Sequence, residues 1–144
     1  MMDQKSKIYA IPGWSFKSSI FNTLNNENIH ITGLDYTHLS QLTLTEIAQR
    51  LSASLAEQSV LLGWSFGGLI AIKMAGLFPK KVSKLILLDS QPRLRASLNW
   101  TGIDQTDLQN FSKALTQGFK KQMNWFIRLA CYPNKLPAIR QVLK

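Results

Sequence analysis

The segment G-W-S-F-G at residues 63–67 constrains the fold of this chain more than any other part of its sequence. An apolar run at 59–62 precedes it and is typical of a buried strand, while residues 67–77 have helical spacing and stop before Pro79. A strand that enters a helix through such a turn exposes the serine, and the flanking glycines relieve crowding. The first N–H groups of the helix then point at the oxygen that becomes charged during attack. The pattern therefore predicts that Ser65 is a nucleophile.

Strand and helix patterns alternate along the first 92 residues. Strands are predicted at 7–11, 29–34, 59–62 and 82–88, and helices at 44–55 and 67–77. Thr43 and Glu46 form a capping box at the start of the first helix. This alternation favours an α/β fold with a doubly wound parallel sheet and right-handed crossovers. After Pro92 the apolar residues recur every three or four positions, which predicts helices and no further sheet.

The positive charge lies in the second part of the chain. Residues 80–144 carry twelve Lys and Arg against three acids, which accounts for the net charge of +9. Such a surface should attract an acidic macromolecule. No nucleic-acid-binding motif accompanies the charge, and the aromatic residues follow the apolar stripe, so an acidic protein is favoured over nucleic acid. A basic surface that only contacts solvent is the alternative.

Other classes of function have little support in the sequence. Cys131 is the single cysteine, and neither clustered metal ligands nor a phosphate-binding loop occurs, so no metal or organic cofactor is expected. The first residues lack the apolar region of a signal peptide, and no stretch reaches membrane-spanning length. We therefore expect a cytoplasmic protein without a membrane partner.

The turn and two later segments together resemble a known family. L-G-W-S-F-G-G-L at 62–69, F-P-K-K-V at 78–82 and W-T-G-I at 100–103 are similar to the pimeloyl-[acyl-carrier protein] methyl ester esterases of biotin synthesis (BioH type), which are α/β-hydrolases. The likeness extends from about residue 7 to about residue 130. It implies an α/β-hydrolase fold with a truncated parallel sheet at 1–92 and the start of a helical cap, or lid, at 93–144.

The resemblance also implies roles for individual residues. Ser65 would be the nucleophile, and the N–H groups of Trp14 and Phe66 would form the oxyanion hole, although Pro12 replaces the histidine of the family's His-Gly-Trp. The positions that correspond to substrate-binding residues are Trp14, Ser65, Phe66, Phe126, Ile127, Arg128, Leu129 and Ala130. Lys121 falls on a position that docks the carrier protein in the family, whereas Trp125 falls on another such position.

The chain departs from the family pattern in two ways. The N-terminal hairpin is missing, and so are the last two strands, which carry the acid and the histidine of the triad. Both histidines, His30 and His38, precede Ser65, although the family order is Ser, then Asp or Glu, then His. His38 could approach Ser65 from a loop, and Asp89 ends the strand after the turn, which some hydrolases use for the acid.

The implied function is that of a serine carboxylesterase that hydrolyses the methyl ester of pimeloyl-acyl-carrier protein. Because the base is missing, we expect this chain to be inactive alone, unless a complementary C-terminal polypeptide supplies the acid and the histidine. One alternative is a non-catalytic fragment that binds an acyl group or a carrier protein. Another is a generic esterase of the α/β-hydrolase fold.

Overall fold

The computed structural model describes residues 7–130, apart from the side chains of Leu129 and Ala130. Cys131 therefore lies outside the described residues. Within them the chain divides into two compact units, 7–92 and 93–130. The elements of the first unit are β1 (Ile8–Ile11), β2 (Ile31–Gly33), α1 (Leu44–Ser52), β3 (Ser59–Trp64), α2 (Phe66–Leu77) and β4 (Val82–Leu88). Short 3₁₀ helices at Ser18–Leu24 and Thr37–Leu39, which the sequence patterns did not predict, follow β1 and β2.

The four strands form one sheet in the order β2-β1-β3-β4, and every neighbouring pair is parallel. This confirms the predicted α/β class with a parallel sheet. In the register, Ile11 of β1 pairs with Gly63 of β3, and Trp64 at the end of β3 pairs with Leu88 at the end of β4. The segments that leave β1, β3 and β4 therefore start at the carboxyl ends of neighbouring strands, where ligands of open parallel sheets usually bind.

The two central strands of the sheet, β1 and β3, contribute side chains to a buried cluster on each face, because successive side chains of a strand point to opposite sides. Tyr9, Ile11 and Leu61 belong to the larger buried cluster, which also contains apolar residues of α1 and α2. Ala10 and Leu62 belong to a second cluster, which contains Phe21 of the first 3₁₀ helix. The central strands β1 and β3 are therefore buried on both sides.

The predicted boundaries hold for most elements of this unit. The capping box is present: Glu46 Oε2 accepts from the Thr43 N–H at 2.8 Å, and Thr43 Oγ1 accepts from the Glu46 N–H at 3.3 Å. The strand predicted at 29–34 was too long, because β2 covers only Ile31–Gly33. The Ile29 N–H donates to the Asn26 side chain instead of to a neighbouring strand. His30 consequently precedes β2 and is exposed.

The second unit consists of a loop and one long bent helix, α3 (Gln105–Ala130), so the predicted helices after Pro92 are confirmed. Gly118 departs from helical backbone angles and divides α3 into 105–117 and 119–130. Phe111 and Phe126 are fifteen residues apart, which is about 22 Å along a straight helix, yet their ring centroids lie 6.3 Å apart. The two parts of α3 must therefore fold back on each other at Gly118.

Strand β4 lies at an edge of the sheet and carries exposed apolar side chains. Within residues 7–130 it pairs only with β3. Ile86 and Leu88 are 36% and 42% exposed. A strand whose outer edge is unpaired, and which carries exposed apolar side chains, is a template for association with another chain.

We expect Ile86→Lys to reduce self-association of the full chain, because a charge on an edge strand opposes pairing between sheets. Lys84 lies on the same face of β4 two residues earlier, so Lys84→Ile is the matched control and should increase self-association. Sedimentation velocity over a range of concentrations measures both effects. Equal sedimentation of the three proteins would contradict a role of the β4 edge.

Candidate active site

Ser65 occupies the turn between the last residue of β3 and the first residue of α2, as the sequence predicted. Its backbone has φ 52° and ψ −122°, which is a strained conformation for a residue with a side chain. The Ser65 N–H donates to the Leu88 carbonyl at 3.0 Å, and the Ser65 carbonyl accepts from the Gly68 N–H at 2.9 Å. The turn is thus held from β4 on one side and from α2 on the other.

Three glycines allow α2 to begin very close to the sheet. A Cβ on Gly63 would lie 2.6 Å from Gly68 Cα and 2.7 Å from the Gly67 carbonyl oxygen. A Cβ on Gly67 would overlap the carbonyl oxygens of Ile11 and Pro12 at the end of β1. The glycines on either side of Ser65 are therefore required by close backbone approach, which is the physical content of the motif.

Ser90, which the sequence patterns did not single out, supports the turn through hydrogen bonds of its hydroxyl group. Its Oγ lies 2.8 Å from the Leu88 carbonyl oxygen and 3.0 Å from the Ser65 carbonyl oxygen. The hydroxyl has one proton, so it donates to one of these carbonyls at a time. A Cβ on Gly68 would overlap the Ser90 side chain. No motif marks a serine two residues after a strand, so only the fold reveals this residue.

The loop that follows β1, residues 12–16, lies beside Ser65. A Cβ on Gly13 would lie 3.4 Å from Ser65 Cβ and 3.1 Å from the ring of Trp64. Phe16 is buried and packs edge-on against Trp64, with ring centroids 4.8 Å apart. Trp14 is the residue between Gly13 and Ser15 in this turn, so its backbone belongs to the segment that adjoins Ser65.

The side chain of Phe66 rests on a buried tyrosine. The rings of Phe66 and Tyr36 have centroids 6.0 Å apart, and Tyr36 is buried. Burial raises the pKa of the Tyr36 phenol well above its ordinary value, and the neighbouring Asp35 carboxylate raises it further. Tyr36 therefore stays neutral at any physiological pH and serves as a packing platform for the start of α2.

Within residues 7–130, no His, Asp or Glu is hydrogen-bonded to Ser65. His30 and His38 are both exposed. Asp89 directly follows β4 just as Ser65 directly follows β3, because Leu88 and Trp64, the last residues of these strands, are register partners. Asp89 is exposed and has φ 44°, the left-handed conformation that Asp tolerates better than most residues. In the same part of the chain no group of His, Cys, Asp and Glu could hold a metal ion.

In the second unit, one exposed face of α3 forms a basic groove of about 530 Å³. Within residues 7–130, the basic groove is lined by Lys120, Lys121, Asn124, Trp125 and Arg128. Lys121 and Arg128 of the predicted site therefore lie together. Ile127 is buried and Phe126 packs on Phe111, so these two predicted site residues do not line the groove. The predicted contacts of the Leu129 and Ala130 side chains lie outside the described residues.

Comparison with known proteins establishes the class. A family model described as the alpha/beta hydrolase fold matches residues 27–129, so this chain belongs to the α/β-hydrolase family. Among its relatives are the pimeloyl-[acyl-carrier protein] methyl ester esterases of Aliivibrio fischeri and Aliivibrio salmonicida, at 31% and 30% identity over 96% and 95% of this chain. The chain spans only 58% and 57% of the length of these two proteins.

Solved structures support the fold at lower sequence identity. A hydrolase from Oleispira antarctica superposes with a TM-score of 0.70 at 13% identity, over 86% of this chain and 53% of that protein. A thermophilic esterase from Thermogutta terrifontis gives a TM-score of 0.61 at 15% identity, over 96% of this chain and 57% of the esterase.

None of the helices within residues 7–130 combines the length and apolar character that crossing a bilayer requires.

We expect Gly67→Ala to destabilise the chain by about 3 kcal/mol, because the new methyl group would meet two backbone carbonyls that cannot rotate away. The control is Gly76→Ala in the same helix, where a Cβ would meet nothing within 4 Å. This change should stabilise the chain by up to about 1 kcal/mol, through helix propensity. Urea denaturation followed by circular dichroism measures both. Equal effects of the two substitutions would contradict the close approach at Gly67.

Proposed function

We propose that this chain carries the nucleophile of a serine carboxylesterase that hydrolyses the methyl ester of pimeloyl-acyl-carrier protein. The observation that carries the proposal is the strained turn at Ser65, which lies beside the loop at residues 12–16. The relatives at about 30% identity, which are pimeloyl-[acyl-carrier protein] methyl ester esterases, support the choice of substrate.

In the proposed reaction, Ser65 Oγ attacks the ester carbonyl carbon and gives its proton to a base. The carbonyl oxygen becomes an oxyanion, to which the N–H groups of Phe66 and Trp14 would donate. The Phe66 N–H is suited to this role because the first N–H groups of a helix have no carbonyl partner within the helix. Methanol leaves with the proton, and water then hydrolyses the acyl-enzyme and restores the serine.

Within residues 7–130, no candidate base is hydrogen-bonded to Ser65. The 144 residues contain two histidines, and both precede Ser65. Serine is a weak nucleophile without an adjacent base, so we propose that the chain alone does not turn over esters. A complementary C-terminal polypeptide with the acid and the histidine would complete the site. The edge of β4 supports this proposal, because a further parallel strand could pair there.

We expect the chain alone to hydrolyse p-nitrophenyl esters no faster than its Ser65→Ala variant does, since removal of triad members leaves only weak residual catalysis. Release of p-nitrophenol measures the rate. Turnover that disappears in Ser65→Ala would contradict this expectation and indicate a base within the chain, and His38→Ala would then test the most accessible candidate.

The complementary test adds the C-terminal portion of the Aliivibrio fischeri relative as a separate polypeptide. We expect the mixture to hydrolyse the methyl ester of pimeloyl-acyl-carrier protein, and the same mixture with Ser65→Ala to be inactive. Mass spectrometry of the carrier protein detects loss of the methyl group. Turnover of p-nitrophenyl esters but not of the carrier ester would instead support a generic esterase.

Binding without turnover is the second candidate, and the basic groove is the observation that favours it. Residues 108–130 contain four cations and no acid. Lys120, Lys121 and Arg128 line the groove together. Charge of one sign on an exposed helix face raises the rate of encounter with an acidic protein. We propose that Lys121, with these neighbours, docks the carrier protein, whether or not the ester is then hydrolysed.

We expect Lys121→Glu to lower the rate of association with the carrier protein roughly tenfold at low salt, because a reversed rim charge weakens electrostatic steering. Lys80→Glu is the control, since it makes the same change of net charge on an exposed residue of the first unit. Stopped-flow fluorescence with a labelled carrier protein measures both rates. Equal slowing by the two variants would show that the groove has no special part in docking.

A further inference from the structure

Among the described residues of the basic groove, Trp125 is the one with a large apolar side chain. Lys121, Trp125 and Arg128 lie on one side of the second part of α3, whereas Met123 and Ile127 on the other side are buried. Trp125 is 53% exposed. Because half of the indole stays exposed, Trp125 contributes less to the packing of the helix than the buried residues do, and it shares the groove with three cations.

The dimensions of the groove limit what can occupy it. Residues 120–128 span about 12 Å of helix. An occupant must therefore place its acidic groups within a similar distance of one another. It must also present an apolar group to the indole, since indole area that stays in water contributes nothing to binding. A short acidic patch with an apolar residue at its centre meets both conditions.

We propose that Trp125 is the apolar anchor of the docking surface, and that it determines which acidic protein the groove accepts. The indole buries an apolar residue of the carrier protein, while Lys120, Lys121 and Arg128 pair with carboxylates around it. Binding energy at protein interfaces concentrates on such a central aromatic residue, and the surrounding contacts mainly exclude water. This inference rests on the proposed function, because it takes the carrier protein as the partner.

Single-stranded nucleic acid is the competing occupant, because it too combines negative charge with groups that stack on aromatic rings. Its binding sites present several aromatic side chains along a basic track. Among residues 7–130, Trp125 is the one aromatic residue that lines the basic groove. Phe119, the other exposed aromatic residue of this helix, does not line the groove. The groove thus fits a compact acidic patch better than an extended strand.

The test compares Trp125→Ala, Trp125→Phe and Lys121→Glu in the full chain. Fluorescence anisotropy of labelled acyl-carrier protein gives the dissociation constant at several salt concentrations. We expect Trp125→Ala to weaken binding about 10- to 30-fold at every salt concentration and to leave the salt dependence unchanged. Trp125→Phe should retain most of the affinity. Lys121→Glu should weaken binding at low salt and reduce the salt dependence.

Two controls make the result specific to the groove. Phe119→Ala removes an exposed aromatic residue of the same helix and should leave binding unchanged. Carrier binding should also shift the indole emission of the unmodified chain to shorter wavelength, and Trp125→Phe should abolish this shift.

The outcomes separate the anchor from the docking itself. Unchanged affinity in Trp125→Ala, together with weakened binding in Lys121→Glu, would overturn the anchor and leave carrier docking standing. Absence of carrier binding by the unmodified chain at any salt concentration would overturn both. Tighter binding to single-stranded DNA than to carrier protein, lost in Trp125→Ala, would assign the groove to nucleic acid and overturn the proposal.

Discussion

The first unit depends on the close approach of α2 to the sheet. Gly67 lies against the carbonyl oxygens of Ile11 and Pro12, and Gly63 lies against the backbone of the first turn of α2. The end of β1 and the turn from β3 into α2, which are distant in sequence, therefore meet with no room for a Cβ between them. Because packed backbone cannot move aside as a side chain can, the position of this turn is fixed by contacts on all sides.

The strain at Ser65 is a consequence of this arrangement. A left-handed backbone at a serine persists only when its surroundings determine it fully. Here the Leu88 carbonyl holds the Ser65 N–H, and the Gly68 N–H holds the Ser65 carbonyl. Ser90 adds a hydroxyl to the same carbonyl groups. The rigid turn leaves Ser65 at the carboxyl end of β3, beside the loop at residues 12–16. The proposed esterase function rests on this geometry.

In the second unit, the bend in α3 lets aromatic residues pack against each other, while cations of the same helix stay exposed. Because α3 folds back at Gly118, Phe111 and Phe126 pack against each other. The cations of residues 120–128 then share the exposed face with Trp125. A basic face with an apolar centre gives the proposed docking surface both attraction at a distance and discrimination on contact, since charge steers encounter and buried area holds the complex.

The sequence by itself determined the features that depend on local order along the chain. The serine turn, the Thr43–Glu46 capping box and the parallel α/β arrangement follow from motif and periodicity, and the structure contains all three. Only the structure decided the later start of β2, the support of Ser65 by Ser90, and the grouping of Trp125 with Lys121 and Arg128. These features arise from hydrogen bonds, strand ends and helix faces that form when the chain packs. Sequence periodicity does not determine which polar groups then come into contact.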